Sequence, residues 1–255
     1  MSATNILPMP TRRDEAWRYA DLDALARVWG EGPQGPERIV VPAGATLTRQ
    51  IVLPVALSGV SIIDLDVTVE AGARFALHML AADSDYGRMS VNVLLHEGAH
   101  FEMGGAILGS GDQTLEIVTQ VNHAHPNATS NQVVRSVLAG RATGSFMGKV
   151  AVARHAQKTD ASQSVKAMLL DRTATANAKP ELEIYADDVK CAHGATVGEL
   201  DKAALFYMAA RGLPPTTARK LMLQAFIADA FVSLADDEAR ASIEARALAA
   251  LEGLA

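Results

Sequence analysis

The chain has 255 residues, enough for a substantial core in one or two domains. Its 23 basic and 29 acidic residues give a formal net charge of −6, which argues against a strongly basic nucleic-acid binder, because that work needs cations against phosphates. Charged residues are 20%, apolar residues 49% and aromatics only 5%, a composition that folds around a mostly aliphatic core. The single cysteine, Cys191, excludes an intramolecular disulfide and a self-contained four-cysteine metal site.

The first seventeen residues hold no apolar run long enough for a signal peptide. The longest apolar stretch, LMLQAFIADAFVSLA at 221–235, is too short to span a bilayer and contains Gln224 and Asp229. A cytoplasmic location is the expectation. Trp17, Leu22, Leu25 and Val28 lie at helical spacing, bracketed by Pro10 and the stretch Gly30–Pro36.

The middle of the chain differs in kind. Of the 19 glycines, 16 fall between Gly32 and Gly198, and all seven histidines lie between His78 and His193. Ile63, Leu65, Val67 and Val69 alternate with Asp64, Asp66, Thr68 and Glu70, Val91, Val93 and Leu95 with Asn92, Leu94 and His96, and Leu182 and Ile184 with Glu183 and Tyr185; each reads as a strand with one buried face. A weak repeat runs through PAGATL, EAGARF and EGAHF. The shared Gly-Ala stands at 44–45, 72–73 and 98–99, offsets of 28 and 26 residues, and each turn leads to Leu47, Phe75 or Phe101. Such a repeat fits one coil of a β-solenoid, with a β-sandwich carrying repeated turn chemistry as the alternative.

The last 55 residues hold 16 alanines and read as helices. The first runs over Asp201–Arg211 with Gly212 as its stop, and Pro214 and Pro215 suit the start of the next. That second helix, from about Thr216 to Leu234, is apolar on almost every side and calls for burial all round, inside the fold or against another protein. A final helix near Asp237–Leu251 puts Ala239, Ile243, Ala247 and Leu251 on one stripe.

Three spacings could carry chemistry. Cys191 and His193 share a side of an extended strand, which makes them half of a metal site or a packed thiol beside a strand-end histidine. His123 and His125 form a second same-side pair before Pro126, read as exposed histidines without a ligand. His96, Glu97 and His100 mimic H-E-x-x-H, but Gly98 and the preceding alternation place them on a strand and turn rather than the helix that a zinc protease needs. Neither a Walker sequence nor G-x-S-x-G is present, so any ATP hydrolysis belongs to a partner.

The segment KCAHGATVGELDKAALFYMAARGLP at 190–214 resembles the SufD branch of the SufB/SufD family, subunits of the Suf iron–sulfur cluster assembly complex. DEAWRYADL near the start, HAHPNATSNQ at 123–132, SFMGKVAVARHAQKTDASQS at 145–164 and KPELEIYADDVKCAHGATVG at 179–198 extend the resemblance over most of the chain. C-A-H-G-A, where SufB typically reads C-x-H-E-A, favours SufD. The resemblance implies a mainly β fold: a right-handed parallel β-helix over 37–198, a short N-terminal helical segment over 1–36 and a C-terminal helical domain over 199–255. It implies a non-catalytic scaffold that pairs with a SufB-like subunit, or with a second copy, near the C-x-H segment. A SufC-like ATPase would dock on the helical tail, for which Phe226, Leu223 and Ala230 are the candidate residues. The family's functional histidine falls on His193, with Cys191 matching the adjacent cysteine. The cofactor implied is a transient iron–sulfur cluster shared with the partner, with none permanently bound. Nucleic-acid and membrane partners are not expected. Only about 36 residues precede the first strand-like segment, fewer than in longer family members. Other readings are a carbohydrate-active β-helix enzyme, for which an acidic groove would be needed, an acyltransferase on a hexapeptide-repeat helix, and a structural homodimer without a metal role.

Overall fold

The computed structural model describes residues 8–29, 35–53, 56 and 58–254. The extreme N-terminus read for a targeting signal is in part outside the described residues, and so is most of the Gly30–Pro36 bracket.

Twelve strands alternate between two sheets. One holds β1 (Glu37–Val41), β3 (Val60–Val69), β5 (Tyr86–Leu95), β7 (Thr114–His123), β9 (Thr143–Val152) and β11 (Thr175–Ile184) in that order. The other holds β2 (Thr46–Val52), β4 (Arg74–Ala81), β6 (His100–Gly109), β8 (Thr129–Leu138), β10 (Asp160–Leu169) and β12 (Lys190–Gly198). Every pairing is parallel and joins strands two apart in sequence, so the chain winds as a parallel β-solenoid with one strand of each sheet per rung. That settles the choice against a β-sandwich, whose strands would run antiparallel.

The repeat is uneven, from 26 residues between Val60 and Tyr86 to 32 between Thr143 and Thr175. What stays constant is one turn. Gly44, Gly72 and Gly98 all have φ between 63° and 69°, a left-handed conformation that glycine adopts freely. The amide of each donates to the next rung, at Ala71, Glu97 and Pro126 respectively. Asn127 and Lys158 continue the column, with φ of 62° and 63° and their amides bonded to Gln157 and Asp188.

The interior between the sheets is aliphatic in its first rungs, built from residues such as Val67, Val93, Leu77 and Met103. Phe75 and Phe101 occupy adjacent register positions and stack with their ring centroids 5.9 Å apart. Leu47 holds the same position one rung earlier and is partly exposed, because β2 is the terminal strand of its sheet.

Helices cover both outer faces. A 3-10 turn at Glu15–Trp17 and helix α1 (Leu22–Trp29) lie on the first sheet, with Ala20, Ala24 and Leu25 packed against Val60 and Tyr86. Asp21 caps α1 by accepting from the Ala24 amide at 2.9 Å. The tail forms α2 (Lys202–Ala210), α3 (Pro215–Ala228) and α4 (Asp237–Glu252). Asp201 and Asp236 cap α2 and α4 with their carboxylates.

One expectation about the tail needs correction. The helix expected over Thr216–Leu234 ends at Ala228, and only Ala218, Leu223 and Ile227 of it are buried. The chain leaves the helix where Asp229 pairs with Arg135 of β8, 2.8 Å from its Nε. Ala230 and Phe231 in a turn, and Leu234 just after it, then press onto the second sheet beside Leu80, Ala106 and Val137. Gly104 permits this approach: a Cβ there would collide with the carbonyl oxygen of Ala230. The helix therefore buries one face, and Leu221 on the other is exposed.

Candidate functional site

Among the described residues, no strand extends either sheet beyond β11 and β12. Strand β12 pairs only with β10, and β11 only with β9, so both sheets present an unpaired edge at this end. Unpaired backbone donors and acceptors on such an edge are a template for another chain. Nearly every residue of β12 is exposed.

Alternation places Cys191 and His193 on the inward face of β12, at its first positions. Cys191 continues the column Phe101, Ser130, Ala161, and His193 continues the column Met103, Gln132, Gln163. The structure thus brings the two expected residues together at the open end, side by side above the interior. Cys191 is half-buried and packs against the core cluster. Burial pushes its thiol pKa above the ordinary 9.0, an effect that outweighs the opposing bond with the Ala161 backbone. The group is therefore a protonated thiol at neutral pH, a weak ligand until a metal or a cation displaces its proton. His193 is exposed.

Two side chains are half of a tetrahedral set. Among the described residues no group of three or more His, Cys, Asp or Glu gathers as a metal site. An imidazole and a thiol are ligand types that suit a soft or borderline metal, and two of them do not complete a tetrahedral set.

The other histidines do different work. His123 ends β7 pointing inward, is 1% exposed, and shares a 2.9 Å hydrogen bond with Ser130 Oγ. The expected exposed same-side pair with His125 does not form, because the strand ends at His123 and the chain turns before His125. His125 instead stacks on His96 of the previous turn, centroids 4.8 Å apart. His96 and His100 flank a turn, as the alternation indicated, with His100 Nδ1 2.7 Å from Thr129 Oγ1. His78, which no motif singled out, is fully buried with Nε2 3.0 Å from Ser233 Oγ in the tail. Its inaccessibility was legible only as an outward position on a strand that the tail happens to cover.

Of the tail residues expected to meet a partner, Leu223 is 2% and Ala230 1% exposed, both enclosed by this chain's own sheet and helices. Phe226 is half-buried beside them. The apolar groups that reach solvent are Phe206 and Tyr207 on α2, Leu221 on α3 and Val232 after it. No helix among the described residues is long and apolar enough to cross a membrane.

Comparison with known sequences bears on this arrangement. Residues 37–226 match the family described as SUF system FeS cluster assembly, SufBD core domain. The chain is 33% identical over 192 residues to Protein ABCI7, chloroplastic, of Arabidopsis thaliana, covering 74% of this chain and 40% of that protein. It is 36% identical over 128 residues to the iron-sulfur cluster assembly protein SufD of Escherichia coli, covering 50% and 30%. To SufD of Bacillus subtilis it is 29% identical over 149 residues, covering 58% and 34%. The matched segments are well under half the length of these relatives.

Proposed function

Because the chain belongs to the SufB/SufD family of the Suf iron–sulfur cluster assembly system, we propose that it is a scaffold subunit on whose open solenoid end a nascent cluster is built. The observation that carries this reading is the placement of Cys191 and His193 side by side on the inward face of a last strand whose outer edge is unpaired. A SufB-like subunit continues the sheets across β11 and β12 and brings the missing thiolate ligands, whereas a second copy of this chain would bring one further thiol and one further imidazole. His193 ligates one iron through a ring nitrogen, and Cys191 is the nearby thiol. The cluster is cargo: it forms at the junction, is shared with the partner and leaves. An imidazole ligand is more labile than a thiolate, which suits release.

The chain itself catalyses nothing in this scheme. ATP is hydrolysed by a SufC-like subunit seated on the helical tail. Phe226 and the exposed Leu221 contribute to that seat, while Leu223 and Ala230 hold the tail on the solenoid so that the seat moves with it. The acidic net charge fits a cytoplasmic assembly without nucleic-acid or membrane partners.

The test is His193→Ala in the complex with both partner subunits, loaded anaerobically with iron and sulfide. Cluster absorbance is expected to disappear while the subunits still co-purify. A variant that assembles and loads like the wild type would overturn the proposal.

A further inference from the structure

The solenoid interior changes character along its axis. The inward column of the second sheet runs Arg49, Leu77, Met103, Gln132, Gln163, His193, apolar at Leu77 and Met103 and polar from β8 to the open end. Gln132 is fully buried and accepts from Thr119 Oγ1 at 2.7 Å across the interior. Gln163 is 3% exposed, and neither its Nε2 nor its Oε1 has a hydrogen-bond partner.

A buried amide without partners is expensive to keep, and a leucine of nearly the same volume would fill the space without that cost. The fold also makes room for it. Gly148 lies opposite in β9, and a Cβ there would come 2.6 Å from Gln163 Nε2 as well as colliding with the Phe146 ring. Its two register partners are Gln132, whose Oε1 is taken by Thr119 and whose Nε2 is also unpartnered, and His193 on the last strand, the neighbour on the side of the open end. Adjacent strands in a sheet lie about 4.8 Å apart, within reach of two long side chains on the same face.

We propose that Gln163 is a positioning residue for His193. When a partner caps the open end, the Gln163 amide oxygen accepts a hydrogen bond from one imidazole N–H. That bond holds the ring in a single tautomer, with the lone pair of its other nitrogen directed into the junction. Metal-bound histidines characteristically have such a support on the ring nitrogen away from the metal, and its loss costs about 10-fold or more in metal affinity. The inference rests on the reading of His193 as a ligand.

The experiment compares Gln163→Leu and Gln163→Glu with the wild type, each in the complete complex. The first readout is metal-free: ring-nitrogen NMR of histidine-labelled chain reports the His193 tautomer. The second is cluster yield after anaerobic loading with iron and sulfide, and the third is Tm. Gln163→Leu is expected to keep or raise Tm, to give a mixture of His193 tautomers, and to lower cluster yield about 10-fold. Gln163→Glu, which restores an acceptor, is expected to recover both the single tautomer and the yield. An unchanged tautomer in Gln163→Leu would overturn the proposal, as would a loss of yield that tracks a loss of Tm and is not recovered by the glutamate. Should His193→Ala load normally while Gln163→Leu still scrambles the tautomer, the ligand role of His193 fails and the positioning bond stands.

Discussion

Arg88 and Glu116 form an ion pair 2.8 Å long on the outer face of the first sheet, buried beneath the N-terminal segment. Tyr86 donates to the same carboxylate oxygen at 3.1 Å. The second guanidinium nitrogen of Arg88 donates to the Ala16 carbonyl at 2.8 Å, and its carbon sits 3.9 Å from the centre of the Trp17 ring. Burial raises the Glu116 pKa, outweighing the pull of Arg88. The pair is thus the pin that fastens the N-terminal segment to the solenoid.

Removing one partner leaves the other charge buried and uncompensated. Glu116→Ala is expected to cost about 3–5 kcal/mol, measured by guanidinium unfolding, and to expose Arg18 to trypsin. Replacing both partners with apolar residues of similar volume, Arg88→Met with Glu116→Leu, is expected to be far less costly than the single change. Equal losses for the single and double variants would show that the pair is not the pin.

The interior histidine sets an acid limit. Burial holds the His123 imidazole down to about 4 from its ordinary 6.5. In the unfolded chain it binds a proton near its ordinary value, so its contribution is fully present above about pH 6.5 and is lost as pH falls toward about 4. The total is roughly 3 kcal/mol. Burial lowers the His78 pKa as well, which acts in the same direction. His123→Gln, which keeps a partner for Ser130, is expected to lose less stability than the wild type between neutral pH and about pH 4.5, by roughly 2 kcal/mol. Parallel stability-versus-pH curves would refute this assignment.

Two apolar residues of α3 differ in burial. Phe226 lies partly within the cluster that binds the tail to the second sheet, whereas Leu221 is 44% exposed. Phe226→Ser is expected to lower Tm by several degrees and to weaken co-purification with the ATPase subunit. Leu221→Ser is expected to weaken co-purification about 10-fold with Tm within one or two degrees of the wild type. If neither variant changes retention of the ATPase, this face is not its seat.

How much of this was legible depends on the element. The Gly-Ala turns at 44, 72 and 98 showed three rungs because glycine marks a left-handed turn in the sequence itself. The same turn at Asn127 and Lys158 was invisible, since those residues adopt a left-handed φ only when the surrounding hydrogen-bond ladder imposes it. Cys191 and His193 were legible as a same-side pair by alternation alone. His123 was misjudged: alternation shows which residues share a side, not which side faces inward. Gln163 was passed over, because a glutamine in a strand reads as solvent-facing until the register of its neighbours puts it inside.

The sequence by itself determined the class of this protein. Period-two alternation, a recurring glycine turn, scarce aromatics and a helical tail are local properties, each written in a short window of residues, and with the C-x-H segment they led to the family. Only the tertiary structure decided what the ends of the solenoid do. A strand carries the same local signal whether it is paired on one edge or two, so the unpaired edge of β12 could not be read from its residues. A polar residue likewise has the same letter inside or outside. It took the stacking of rung on rung to place an unpartnered Gln163 one register position from His193 and to bring a lone thiol and a lone imidazole to the inward face of the last strand.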